Sequence, residues 1–494
     1  MEGKGLDRRT FMKAAGIGST LLPGSSSAEP RTPPKNMIGI QVGAVSFLDE
    51  GTEKVLDILQ ERASVNSLFL ATFTYGRGIA GRQVPGQPLP DHGKQEYDTD
   101  TFHGGNYAAV HPQYYKDTPL KPKDTRAPDH GQFDLLAEVV PYAKKRGMRT
   151  ICWSEDVWSD QVPHVEAIRE INLRGARARS QCYNNPGYRN FLLGLFEDYA
   201  RSYDIDGIMW CSERQGPLGQ TLVGNGDAGQ LTCFCEYCQQ KAKQRGIEIG
   251  RVREGYTALA AMVRDARAGK RPVDGYYVTF WRVILRYPEI LAWEQFWNDS
   301  LRDLYSAIYT KVKSVKASLL VGWHIWHIDS WSWLYRAGQD LQQLAPHSDY
   351  LKMVMYNNCA GPRIASYIDN IGATLYADFP RQETLELTYR VMNYRERSLD
   401  EIPFTGLSAD YVYRETKRAV DGAAGTETRI WPGIDIDIPT SANQTKCTPQ
   451  GVEAAVREAI RGGAHGVLLS RKYSEMKLAN LSGAGQAIKE AKFA

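Results

Sequence analysis

Between Asp204 and Cys238 the chain carries the two groupings best suited to chemistry. The run D-I-D-G-I-M-W-C-S-E places Glu213 just past a short apolar stretch, residues 205–211, that reads as a buried strand. A carboxyl half-buried at a strand mouth holds its proton to higher pH and can donate it. Further on, C-F-C-E-Y-C brings Cys233, Cys235 and Cys238 close enough to share one metal ion. Tetrahedral zinc needs a fourth ligand, for which Cys182 and Cys211 are the candidates. A disulfide plus a free thiol, and reduced buried cysteines, are the competing arrangements. No activating base stands near the cluster, which argues against a catalytic thiol.

Cleavage of a glycosidic bond needs two carboxyl groups, one donating a proton and one acting as nucleophile or base. Asp435 and Asp437, in W-P-G-I-D-I-D-I, share one strand face by the period of two and offer a nucleophile and a group that orients it. Glu475 in S-R-K-Y-S-E is a rival, though Arg471 and Lys472 beside it suit a core ion pair. Glu155 and Asp156, ending an earlier run, are further candidates. For substrate contact, W-H-I-W-H supplies Trp323, His324, Trp326 and His327, an imidazole and an indole for each side of a strand. Tyr356 and Trp431 add rings near other strand ends, where apolar sugar faces can stack. The segment 103–120, with His103 and Asn106, suits a lid over polyols or a surface loop packed by its own aromatics. A metal held by these His residues and Asp435 is the weaker reading.

These side chains need a frame. Apolar, β-rich runs fall at 37–47, 65–75, 149–158, 207–213, 319–327, 350–357, 428–438 and 466–473. Helical periodicity separates them, clearest at 132–145, 186–203, 293–315 and 449–462, the last opened by Thr448 as a cap. Eight such units predict an α/β protein with a (β/α)8 TIM barrel. Connections from helix to strand are short, whereas those after the second, fourth and sixth strands (76–131, 214–292, 358–427) are long. They therefore gather at the carboxyl face, where barrels keep their sites. No glycine-rich fingerprint follows a strand, so no organic cofactor is expected.

The first residues read differently. Asp7-Arg8-Arg9-Thr10-Phe11-Met12-Lys13 and the mildly apolar stretch after it form a twin-arginine pattern, so residues 1–30 are expected to be a signal peptide and linker ahead of a barrel over 37–494. This predicts a periplasmic or secreted protein. No later stretch approaches 18 uninterrupted apolar residues, so no membrane span is expected. A formal charge of +3 with scattered Lys and Arg excludes a nucleic-acid surface. Eleven Trp and 27 Tyr in a chain with 42 % hydrophobic residues favour a saccharide partner.

The order of features in the fourth unit resembles glycoside hydrolase family 42 β-galactosidases and their barrel relatives. In that family the acid/base Glu ends the fourth strand, and a C-x-C-x-x-C run in the next loop holds a structural zinc with one upstream Cys. The resemblance implies that role for Glu213, and ligation by Cys182, Cys233, Cys235 and Cys238. Trp293, Phe296 and Trp297 match the aromatic helix that follows. Two departures stand out: Ser212 replaces the family's Asn, and Asp435 or Asp437 replaces its nucleophilic Glu. The expectation is an exported glycoside hydrolase. The alternatives are a metal-dependent sugar isomerase, epimerase or lyase, and a non-catalytic carbohydrate-binding barrel.

Overall fold

Eight apolar runs become eight parallel strands: β1 (Met37–Val42), β2 (Ser67–Thr74), β3 (Arg149–Glu155), β4 (Gly207–Cys211), β5 (Leu320–Ile325), β6 (Tyr350–Val354), β7 (Arg429–Asp435) and β8 (Gly466–Ser470). They pair in chain order, and β1 bonds to both β2 and β8, which closes the sheet into a (β/α)8 barrel. A two-residue strand, Gly105–Asn106, adds antiparallel to β2. The computed structural model describes residues 36–98 and 102–494; the expected leader over 1–30 lies outside the described residues. Residues Lys35–Ala494 pack as one compact unit. No helix among the described residues is long and apolar enough to cross a membrane.

Several strands are shorter at their carboxyl ends than their apolar runs. β1 stops at Val42, and Ala44–Glu50 continues as a helix with Ala44, Val45 and Phe47 buried. Burial on all sides leaves no period to separate strand from helix, so the run 37–47 reads as one strand. Likewise His327–Ser330 and Tyr473–Glu475 turn into 3-10 helix, and Asn357–Gly372 is α-helix. Helix starts follow their caps: Asp134 accepts from the backbone of Leu136 and Ala137, and Thr448 from Gly451.

The barrel interior is filled by inward residues of successive strands, among them Met37, Phe69, Ile151, Met209, Tyr350, Trp431 and Leu468. Tyr350 and Trp431 stack with centroids 3.9 Å apart, and Phe69 meets both edge-on. This plug closes the middle of the barrel. Strand register then decides which side chains share the carboxyl end. Glu155 pairs with Cys211, Cys211 with His324, and His324 with Lys352, giving one row across β3 to β6.

The long connections carry structure of their own, including helices Ile249–Arg267 and Glu289–Val315 after β4. Another tie fastens the loop after β5. Glu415, on helix Ala409–Gly422, accepts from Arg336 at 2.9 Å and Arg418 at 2.9 Å, and Arg418 also bonds Asp329. Glu415→Ala leaves two guanidinium groups without their buried partner and is expected to cost roughly 3–5 kcal/mol of stability. Denaturant unfolding checks it; a change under about 1 kcal/mol would mean solvent already shares those charges.

Candidate functional site

A cavity of about 800 Å³ opens at the carboxyl end of the barrel. Its floor is the register row: Glu155, His324 and Lys352, with Glu213 standing one inward position above Cys211. Gln41 from β1, Trp153 from β3 and Tyr356 after β6 complete the floor; Trp326, Trp331 and Arg363 belong to its wall.

The two carboxyl groups live in opposed environments. Burial pushes Glu155 up to about 7, even though Thr74 Oγ1 donates to its Oε2 at 2.6 Å and pulls the other way; the charge of Glu213 adds to the rise. Glu213 is 48 % exposed into the cavity, and its Oε1 lies 2.8 Å from His324 Nε2. Enclosure by the walls raises its pKa, but the His324 hydrogen bond and the nearby positive charges of Arg363 and Lys352 outweigh it and hold Glu213 below the usual Glu value. The expectation that Glu213 carries the raised pKa is therefore reversed, because the sequence hides the histidine bonded to it. His324 is itself driven down to about 4 by burial and by Lys352, so it is neutral and donates through Nε2. Its Nδ1 is buried without a hydrogen-bond partner among the described residues.

Lys352 Nζ donates to Gln41 Oε1 and Tyr356 Oη, both at 2.8 Å, and burial lowers it to about 8. His327 is buried, with Arg363 Nη1 3.0 Å from its Nδ1 and Tyr411 Oη 3.2 Å from its Nε2. Burial, aided by Arg363, keeps this ring neutral. Lys352, Arg363 and Gln41 are the residues sequence reasoning missed. Lys352 leaves one signal: a lone Lys inside the apolar run Y-L-K-M-V-M-Y, where a charge costs too much unless the barrel interior holds partners.

Of the four favoured catalytic carboxylates Glu213 alone lines this cavity, joined by Glu155 from the further candidates. Asp435 is buried, and its oxygens accept from the backbone of Cys359 (2.9 Å) and Ile438 (3.1 Å). Asp437 does not share its face, because β7 ends at Asp435 and Asp437 takes a left-handed φ of 54°. It accepts instead from Lys477 N and Asn480 Nδ2. Glu475 is the buried ion-pair partner of Arg471, 2.5 Å away, with Lys472 at 3.7 Å.

The expected substrate contacts divide in the same way. His324, Trp326, His327 and Tyr356 line the cavity. Trp323 points outward, stacks on Tyr305 at 4.3 Å and donates to His347 O, while Trp431 is sealed in the barrel plug. Asn106 is buried and accepts from Ala108 N and Tyr199 Oη. His103 sits with Asp129, outside the cavity lining. The segment 103–120 is pinned by Asp198, which accepts from His111 and Tyr115, so it packs on helix Pro186–Ser202 instead of closing over substrate. Ser212 also faces away from Glu213, donating to Asp156 Oδ2 at 2.9 Å, with Tyr183 Oη 2.5 Å from its Oγ. Arg214 joins this group through Asp156 (2.9 Å) and Glu170 (3.3 Å), not through Glu213.

Beside this anchor, Cys182, Cys233, Cys235 and Cys238 are buried, free of disulfides, and have sulfurs all within 4.8 Å of one another. Cys182 Sγ lies 3.5 Å from both Cys235 Sγ and Cys238 Sγ. A tetrahedron of thiolates at about 2.3 Å from zinc has edges of about 3.8 Å, so the four sulfurs fit that ion. Cys211 belongs elsewhere: it groups with Glu213 and His324 in the barrel. Asn184 Nδ2 donates to Cys238 Sγ at 3.4 Å and Lys241 Nζ to Asn184 Oδ1 at 2.8 Å, an outer shell of the kind that orients metal ligands.

No protein-family model matches the chain, and no curated protein matches its sequence. Among solved structures it is similar to a β-galactosidase from the Antarctic haloarchaeon Halorubrum lacusprofundi, at 14 % identity and TM-score 0.49, covering 93 % of this chain and 58 % of that one. It is similar to α-L-fucosidase isoenzyme 2 from Paenibacillus thiaminolyticus, at 12 % identity and TM-score 0.48, over 92 % and 49 %. It is also similar to a GH42 β-galactosidase from G. stearothermophilus, at 10 % identity and TM-score 0.48, over 93 % and 57 %. The chain thus spans about half the length of these proteins.

Proposed function

We propose that the protein is a glycoside hydrolase in which Glu155 is the proton donor and Glu213 the ionised nucleophile or base. One observation carries the reading: two glutamates from adjacent strands line one cavity with their proton affinities driven apart, Glu155 up and Glu213 down. His324 fixes one oxygen of Glu213 and leaves the other for the anomeric carbon or an attacking water. Trp326 and Trp331 offer aromatic walls for the sugar ring. Assay of the purified protein against nitrophenyl glycosides and plant polysaccharides tests the proposal; no turnover on any of them by protein of native fold would refute it.

A pH profile follows. The acid must be protonated, so kcat/KM falls as pH rises through about 7; the base must be ionised, so the other limb lies below the ordinary Glu range. Thr74→Val removes a hydrogen bond that lowers the pKa of Glu155, so the alkaline limb is expected to move to higher pH. A limb that stays put, or moves down, assigns it to another group.

A second reading has its own observation. Cys211, Glu213 and His324 place ligand atoms within 4.8 Å of one another, a set that suits a zinc-type ion in a sugar isomerase or lyase. The cationic Lys352 and Arg363 close by oppose a dication, which ranks this reading second. Chelator-sensitive turnover that is restored by metal and lost in Cys211→Ser would favour it. We further propose structural zinc at the four-cysteine cluster, and export through the expected leader; cell fractionation of the chain with Arg8 and Arg9 replaced by Lys tests the latter.

A further inference from the structure

We propose that the cavity is built for a saccharide bearing an anionic group, a uronate carboxylate or a sulfate ester, seated against Arg363 with the charge of the buried Lys352 close by. Cations away from bulk water are normally paired, because an uncompensated charge there is costly. Other cations of this barrel keep the rule: Arg471, itself in the cavity lining, pairs with Glu475, Arg214 with Asp156 and Glu170, Arg336 and Arg418 with Glu415. Of the three cations that line the cavity, Lys352 and Arg363 break it. Among the described residues Lys352 bonds only the neutral Gln41 and Tyr356, and Arg363 only the neutral His327.

The nearby carboxylates are already engaged. Glu213 is bonded to His324, Glu155 to Thr74 and Asp435 to two backbone N–H groups, so each meets Lys352 or Arg363 only at longer range. A guanidinium has five N–H donors in a planar fork; Arg363 commits one to His327 and keeps the rest for a group with paired oxygens. Lys352 is fully buried on Gln41 and Tyr356, so it contributes its charge and not a direct hydrogen bond. A neutral polyol accepts such bonds but leaves the charge uncompensated. A carboxylate or sulfate does both.

The saccharide part of this inference rests on the glycosidase reading; the anion part rests on the two cations alone. Calorimetry at low salt with glucuronate, galacturonate, glucose 6-sulfate, glucose, galactose and inorganic sulfate tests it. Acidic sugars are expected to bind at least about tenfold more tightly than neutral ones, with a preference that weakens in high salt. Uronate against sulfate ester decides which anion is preferred. In Arg363→Gln the acidic-to-neutral ratio should fall toward one, and in Arg363→Lys part of it should return, with thermal midpoints confirming both variants are folded. Equal binding of neutral and acidic sugars, no binding of acidic sugars, tight binding of sulfate ion alone, or an unchanged ratio in Arg363→Gln overturns the inference. Acidic sugars that bind while no glycoside is cleaved would sink the hydrolase reading and leave the anion site standing. Cleavage dependent on Glu155 but indifferent to substrate charge does the reverse.

Discussion

Glu155→Gln is expected to lower kcat on an unactivated glycoside by about 10²–10⁴-fold, the usual contribution of a positioned general acid. The amide fills the same space and still accepts from Thr74, so the fold should hold. The loss should depend on the leaving group. A nitrophenolate departs without a proton, so aryl glycosides should lose far less than alkyl glycosides or oligosaccharides in the bond-breaking step. The alkaline limb near pH 7 should vanish with the carboxyl that causes it. Glu213→Gln should cause a comparable fall whatever the leaving group, because it removes a nucleophile or base. The double variant should be little worse than either single one, since the pair acts as a unit. Steady-state rates on matched alkyl and aryl substrates read all of this. If Glu155→Gln keeps near wild-type turnover on the alkyl substrate, Glu155 is not the acid, and Glu213 returns as the candidate.

How much of this site was legible in the sequence follows from what each signal encodes. Alternating apolar runs and helical stretches encode a barrel, because every buried parallel strand needs both faces apolar, and the eight strands fall where those runs lie. Glu213 was legible for the same reason, as a carboxylate where a buried strand meets a loop. Its partner was not singled out. Glu155 and Asp156 are neighbours in sequence, and strand parity alone sends the first into the cavity and the second back toward Arg214 and Tyr188. The parity argument failed for Asp437, where one left-handed residue past the end of β7 broke the period. In W-H-I-W-H parity holds for Trp323, which alternates with His324 and faces a helix, and fails past Ile325, where the following turn brings His327 into the cavity. The direction of the Glu213 shift depends on His324, Arg363 and Lys352, which reach it from three other segments. Charge environment is a property of the closed barrel, and no single run of residues carries it.

The Cys cluster is expected to hold one zinc per chain, and its loss to act on stability far more than on chemistry. Its four sulfurs come from two segments, Cys182 after the hairpin Arg169–Ile171 and Arg177–Gln181, and Cys233 to Cys238 in the loop beyond β4. An ion bonded to all four joins these segments, as a disulfide would, and its binding free energy adds to folding free energy. For structural zinc in small peptides that amounts to about 10–16 kcal/mol at neutral pH, so even a fraction of it exceeds most single side-chain effects. Cys235→Ser should therefore reduce zinc to well below one equivalent, lower the thermal midpoint and open residues 212–248 to protease. Tyr183, next to Cys182, bonds Ser212 beside Glu213 through its hydroxyl, so a modest fall in kcat, within about tenfold, is expected while the protein stays folded. Elemental analysis, limited proteolysis and kcat at low temperature separate the two roles. Freshly purified protein lacking stoichiometric zinc, with the wild-type midpoint unmoved by a chelator, would falsify the metal assignment and leave four packed thiols. A loss of kcat by a hundredfold or more with stability intact would instead move the cluster into the chemistry, although none of its four cysteines lines the Glu155–Glu213 cavity.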